Sequence, residues 1–306
     1  MRKEIEQAIA LLGERNPQSL EHALKLIQGT VFSFSMKVCG QREDAEDTMQ
    51  EVLVKSLSHL PKFESPRALL VWLYKVAKTR CLMSRRRSKF APQPDLSLDE
   101  LMPDRRQLEQ IAKEGPLNPE SLAIRSQEAR RLREAIQRLP PQYRIVLVLR
   151  DMEGLSDEEV GEVTGLRPGT VRVRLHRARL FVRKALADHG KVAGRSEKPD
   201  VRPAAAEAQR LHRRASCKAL FAQLSNYLDH QLDASLCEEM EKHMDDCAPC
   251  RAFLSSLERS IEQCRMIPTH LPDPRMAARL RRDLLSRYQR LVARLDQRGS
   301  TSAQQS

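Results

Sequence analysis

Aromatic side chains are scarce in this chain, 4% of 306 residues, with a single tryptophan. β-Branched runs are short as well, so little favours a sheet core and an all-α fold is expected. Long apolar runs are missing too. The longest uncharged ones, such as LLVWLY at 69–74, fall far short of the roughly 20 residues a membrane helix needs. The first residues, MRKEIEQAIALLGE, hold no apolar stretch of the leader kind, so no signal peptide is read, and a cytoplasmic location without a membrane span is expected. Seven cysteines, an odd number, argue for free thiols and metal ligands over a disulfide framework. What the chain does have is positive charge. Fifty-three Lys and Arg against 41 Asp and Glu leave a formal net charge of +12, which suits a polyanionic partner, nucleic acid first and an anionic membrane surface second.

Helical periodicity organises the first 89 residues. Ala45, Met49, Val52, Leu53 and Leu57 recur at helical spacing, and the other face carries Glu43, Asp47 and Glu51 as an acidic ladder. After Pro61 and Pro66, RALLVWLYKVAKTRCLMSRRRSK reads as a mainly apolar helix ending in a basic cluster, Arg85 to Lys89. From 90 to 126 periodicity collapses among prolines and mixed charge, as in a linker. Order returns over 127–187. Leu132, Ala135, Ile136 and Leu139 form one stripe, Pro141 suits a helix start, and Gly154 suits its end. Ser156 with Glu159 makes a capping box, Gly165 closes that helix, and Pro168 opens the next. A second polar linker, 188–212, precedes an ordered unit at 213–262. The tail, 263–306, holds a basic amphipathic helix with Asp273 as N-cap, Pro274 at its first position, and Met276, Leu280, Leu284, Tyr288, Leu291 and Leu295 on one face. Its last residues, GSTSAQQS, are expected to be disordered.

The segment LSDEEVGEVTGLRPGTVRVRLHRARLFVRKAL has a capped helix, a glycine turn and a second helix, the helix-turn-helix layout. In the second helix Val171, Leu175, Ala178 and Val182 would face the core. Arg172, His176, Arg179 and Arg183 fall outside at similar spacing, with Arg167, Arg174 and Arg177 beside them, and no acidic residue occurs from Leu166 to Ala187. Such a helix suits DNA phosphates, with some side chains reaching base edges in the major groove.

Those residues carry a resemblance. QRLPPQYRIVLVLRDMEGLSDEEVGEVTGLRPGTVRVRLHRAR resembles region 4 of an extracytoplasmic-function (ECF) sigma factor, and the block within 1–89 resembles region 2, the likeness running from about 20 to 187. DAEDTMQEV is similar to the segment that docks on the clamp helices of RNA polymerase, which implies a docking set of Asp44, Asp47, Gln50 and Glu51. WLYKVAKTRCL is similar to the segment that melts the −10 element, which implies DNA contacts from Trp72, Lys75, Lys78 and Arg80, with Tyr74 beside Trp72 in a stacking or packing platform. In the second helix the implied DNA-binding set is Arg167, Thr170, Arg172, Arg174, His176, Arg177 and Arg179. Four positions depart from the family pattern: Thr79 for asparagine, Met83 for aspartate, Arg167 for the serine before the recognition-helix proline, and Gly161 for alanine, the last costing about 0.5–1 kcal/mol. They bear on which promoter is read.

HMDDCAPC, 243–250, spaces one imidazole and two thiols as H-x₃-C-x₂-C, and on a continuous helix all three share one face. A tetrahedral zinc needs a fourth ligand, and Cys217 is the best placed in sequence, with Cys237 and Cys264 as alternates. His230 is a weaker candidate than His243, and Cys39 and Cys81 read as packed thiols. The stretch CKALFAQLSNYLDHQLDASLCEEMEKHMDDCAPCRAFL resembles the zinc-binding domain of anti-sigma factors, which implies one Zn²⁺, structural or sensing. The expectation is a non-enzymatic initiation factor with core RNA polymerase and promoter DNA as partners, and with a zinc domain that modulates it in cis. The alternative is a zinc domain that docks a separate regulatory protein. Four protein ligands would leave no open position for a metal-bound water, which argues against a hydrolytic site.

Overall fold

The computed structural model of the chain describes residues 3–14, 16–60, 63, 65–84, 95–103, 122–188, 217 and 219–303, with backbone alone for 84, 122–128, 188 and 291–303. Every regular element among them is a helix: α1 Lys3–Gly13, α2 Pro17–Cys39, α3 Arg42–Ser56, α4 Pro66–Ser84, α5 Leu98–Leu101, α6 Leu122–Arg138 and α7 Pro141–Leu147 with a π-helical continuation Val148–Met152. Then come α8 Asp157–Thr164, α9 Pro168–Asp188, α10 Leu224–Leu228, α11 Ala234–Asp246, α12 Ala248–Arg265 and α13 Pro274–Ala303. None of the described helices is long and apolar enough to cross a membrane. The chain divides into two compact units that do not follow its linear order: 1–91 with 153–165 and 268–306, and 92–152 with 166–267.

In the first unit α2 is the centre, and α1, α3, α4 and α13 all pack on it. It starts where the Asn16 side chain accepts from Ser19 N at 2.8 Å and Pro17 takes the first turn, a cap worth about 1 kcal/mol. It stops at Gly40, whose φ of 79° suits a residue without Cβ. The expected stripe of α3, Ala45 to Leu57, is buried. Tail helix α13 is capped by Asp273, which accepts from Met276 N at 2.9 Å. Its inner face is Ala277, Leu280 and Leu284, and Arg281 Nη1 donates to Gln28 Oε1 at 2.8 Å.

Three sequence expectations change. Cys39 and Cys81 are joined as a disulfide with Cα atoms 5.5 Å apart, because the end of α2 meets the end of α4; a separation of 42 residues hides that contact. Within 90–126, residues 98–101 are helical and α6 begins at Leu122. Leu101 is buried in the core of the second unit with Leu96, Leu98 and Met102 against it, so tertiary burial orders a stretch with no sustained periodicity. Helix α13 runs to Ala303, through Gly299, since one glycine costs a helix only about 1 kcal/mol. The basic cluster 85–89 and most of the linker 188–212 lie outside the described residues.

In the second unit α9 is the hub, in contact with α5, α6, α7, α10 and α12. Leu180 of α9 shares one core with Leu220, Phe221, Leu224, Met240, Phe253, Leu257 and Ile261. At about 1.5–3 kcal/mol for each large apolar side chain, that shared core makes 219–261 and α9 one packed body.

Candidate nucleic-acid interface and metal centre

Helix α9 meets its core as its periodicity requires: Val171, Leu175, Ala178 and Val182 are buried. The opposite stripe differs from expectation. His176, Arg179 and Arg183, read as outward-facing, are buried, and Arg172 is half-buried. The cause is a second layer that the sequence places far downstream. Arg179 is 1% exposed and clamped between two carboxylates. Its Nε and Nη2 donate to Asp151 at 2.8 and 2.6 Å, and its Nη1 and Nη2 to Asp229 at 2.8 and 2.9 Å. Burial opposes the charge, but Asp151 and then Asp229 outweigh it and hold the guanidinium above its usual value. Arg183 donates to Ser256 Oγ at 2.9 Å and lies over the Phe253 ring, 4.2 Å from its centroid.

His176 Nδ1 meets Ser225 Oγ at 2.9 Å, and its Nε2 has no partner among the described residues. Burial, then Arg179 and Arg177, depress its pKa to about 4, so the ring is neutral at pH 7. Arg167 and Thr170 are exposed, and Arg174 and Arg177 half-exposed. Arg177 pairs with Asp95 at 3.3 Å. The segment around α5 is held on the same side, since Lys184 Nζ donates to Glu100 O at 2.6 Å.

On α4, Lys75 is exposed and Trp72 half-buried, stacked on His59 at 5.0 Å with Phe63 at 5.6 Å. Tyr74 is fully buried, and so offers no stacking platform. Lys78 Nζ donates to Val163 O at 2.8 Å, and burial, with Lys75 nearby, lowers its pKa. Arg80 pairs with Glu51 at 2.9 Å, and Lys55 pairs with the same carboxylate at 2.7 Å. The Lys55 hydrogen bond leads in holding Glu51 below its usual value. Of the docking set, Asp47 and Gln50 are exposed and Asp44 half-exposed, while Glu51 is satisfied within the chain.

The four candidate metal ligands converge. One donor atom each of Cys217, His243, Cys247 and Cys250 lies within 4.8 Å of all the others. Cys217 Sγ stands 3.5 Å from His243 Nε2 and 3.6 Å from Cys250 Sγ. Tetrahedral zinc at about 2.3 Å from sulfur and about 2.0 Å from nitrogen sets ligand–ligand edges of roughly 3.5–3.8 Å, which the two Cys217 edges match. The helix is not continuous through the motif. His243 lies in the last turn of α11, Cys247 breaks the helix at φ −124° and ψ 87°, and Cys250 lies in the first turn of α12 behind Pro249. The Cys217 thiol is drawn down to about 6 chiefly by a hydrogen bond from Cys250, against burial and with help from His243. Cys237, Cys264 and His230 stand outside the cluster. Sequence reasoning passed over Asp229, Ser225, Asp151 and Phe253. Asp229 caps the end of α10, and nothing near it in sequence names its partner on α9.

Comparison with known proteins matches this arrangement. A Sigma-70 region 2 model matches residues 25–90, a Sigma-70, region 4 model matches 129–182, and a "Putative zinc-finger" model matches 217–251. The RNA polymerase sigma-H factor of Pseudomonas aeruginosa is 30% identical over 164 residues, 52% of this chain and 81% of that one. The chain belongs to the ECF sigma factors. Among its relatives are the ECF RNA polymerase sigma factor SigW of Bacillus subtilis, 28% identical over 187 residues (60% of this chain, 97% of that one), and SigE of Mycolicibacterium smegmatis, 32% identical over 167 residues. The SigE match covers 54% of this chain and 61% of SigE. As an ECF sigma factor the chain takes its place among transcription initiation factors, which are not enzymes. Region 2 spans α2 to α4, region 4 spans α6 to α9, and the zinc-finger match contains the whole Cys/His cluster, which suggests zinc binding.

Proposed function

We propose that this chain directs promoter-specific initiation by core RNA polymerase in the cytoplasm, and that its zinc module inhibits it in cis by docking on α9. Asp44, Asp47 and Gln50 would meet the polymerase. Trp72, Lys75 and Lys78 would serve the −10 element, and Arg167, Thr170, Arg172, Arg174 and Arg177 the duplex. The observation that carries the regulatory reading is the Arg179 clamp: a residue of the DNA-reading helix is wholly buried, with Asp229 of the zinc module as one jaw. While that jaw is closed, His176 and Arg179 cannot reach DNA.

One zinc held by Cys217, His243, Cys247 and Cys250 would tie the segment before α10 to the α11–α12 corner, and so keep Asp229 and Ser225 in place. Burial of the module against α9 favours action in cis over service as a dock for a separate regulator. The test is run-off transcription with core polymerase, comparing the full chain with a chain ended near residue 200. Higher output from the shortened chain supports the reading; equal output rejects cis inhibition.

A further inference from the structure

We propose that segment 153–164, from the region 4 part of the chain, occupies the site on region 2 where the backbone of single-stranded promoter DNA binds, as an internal acidic stand-in for phosphate. This deepens the sigma-factor reading and rests on it. Glu153 is the anchor. Its side chain is 0% exposed, and its carboxylate accepts from Lys37 Nζ at 2.8 Å and from Tyr74 Oη at 2.6 Å. Two carboxylates of α8 follow, with Glu159 and Glu162 taking Arg67 Nε and Nη2 at 3.1 and 3.2 Å. At the end of α8, Lys78 donates to the Val163 carbonyl at 2.8 Å.

The segment therefore engages every donor just named on α2 and α4 with oxygen acceptors, three of them carboxylates. An arginine, a tyrosine hydroxyl and a lysine along α4, the helix assigned to the −10 element, with Lys37 of α2 beside them, are a set that a string of phosphates also satisfies. The Arg67 pairs are solvent-exposed and individually weak. The Lys37–Glu153 pair is buried, and separating the two charges without a replacement anion is unfavourable. That asymmetry makes the contact an exchange: the segment leaves readily only when another anion arrives.

The experiment uses the full chain, a fluorescein-labelled single-stranded oligonucleotide of mixed sequence, and hydrogen exchange of residues 153–164. Glu159→Lys combined with Glu162→Lys alters only exposed or half-exposed positions and is expected to tighten oligonucleotide binding about fivefold. Glu153→Gln is expected to act in the same direction. Oligonucleotide added to the unaltered chain should speed exchange in 153–164. Unchanged or weaker binding in the double variant, at unaltered helix content, overturns the proposal, as does exchange in 153–164 that ignores the oligonucleotide. Run-off transcription by the unaltered chain separates the two failures: transcription with unchanged variant affinities sinks only the stand-in, whereas no transcription from any form sinks the sigma reading itself.

Discussion

Arg179 shows how one side chain carries two roles that its position in sequence cannot distinguish. At i, i+3 and i+4 spacing from the other basic residues of α9 it looks like a phosphate contact, yet both of its faces are satisfied by carboxylates. Asp229→Ala removes one jaw and leaves Asp151, so the cost is that of lost charge-assisted hydrogen bonds rather than of an orphaned charge. About 1.5–3 kcal/mol of stability should go, read from urea unfolding. His176 adds a pH dependence. Its ordinary value is 6.5 and its folded value about 4, so between those limits the unfolded chain binds more protons. The stability it contributes is complete above pH 6.5 and is lost as pH falls toward 4, by an amount on the order of 3 kcal/mol. Urea midpoints at pH 7 and pH 5 should differ more for the native chain than for His176→Gln.

At the scale of elements, much was legible because local rules wrote it. The stripes of α3 and α9, the Ser156–Glu159 capping box, and the Asp273–Pro274 start of α13 all follow from spacing and cap chemistry. The H-x₃-C-x₂-C spacing announced a metal clip, but the corner at Cys247 did not announce itself, because periodicity reads straight through a break of one residue. Partners distant in sequence were illegible for the same reason: nothing near Cys39 names Cys81, and nothing near α9 names Ser225. The corner has a consequence for the metal. With donors drawn from α11, the corner at Cys247, α12 and a separate residue before α10, a tetrahedral site would close only with all four ligands present. Cys217→Ala is expected to lower zinc content from one per chain to none, by atomic absorption, with exchange rising across α10 and α11. A variant still holding a full zinc would hand that position to another ligand.

For the molecule as a whole, the net charge of +12 suggested a nucleic-acid partner without showing how the free chain manages its own basic surface. Within each compact unit acids meet bases that the sequence reading had reserved for DNA or left unassigned: Glu51 with Arg80, Glu159 and Glu162 with Arg67, Asp95 with Arg177, Asp229 with Arg179. Three segments read in order along the chain, region 2, region 4 and the zinc module, are divided between two units that each draw on more than one of them. Compact units built from separated stretches are invisible to a linear reading, since each stretch has plausible boundaries of its own.

The central claim is that zinc-dependent docking on α9 holds the factor inactive. The most direct measurement is run-off transcript yield with core polymerase as zinc is titrated back into chelator-treated full-length protein. Yield should fall as the site fills, to a floor that Asp229→Ala raises; yield that stays flat or climbs with zinc would contradict the claim.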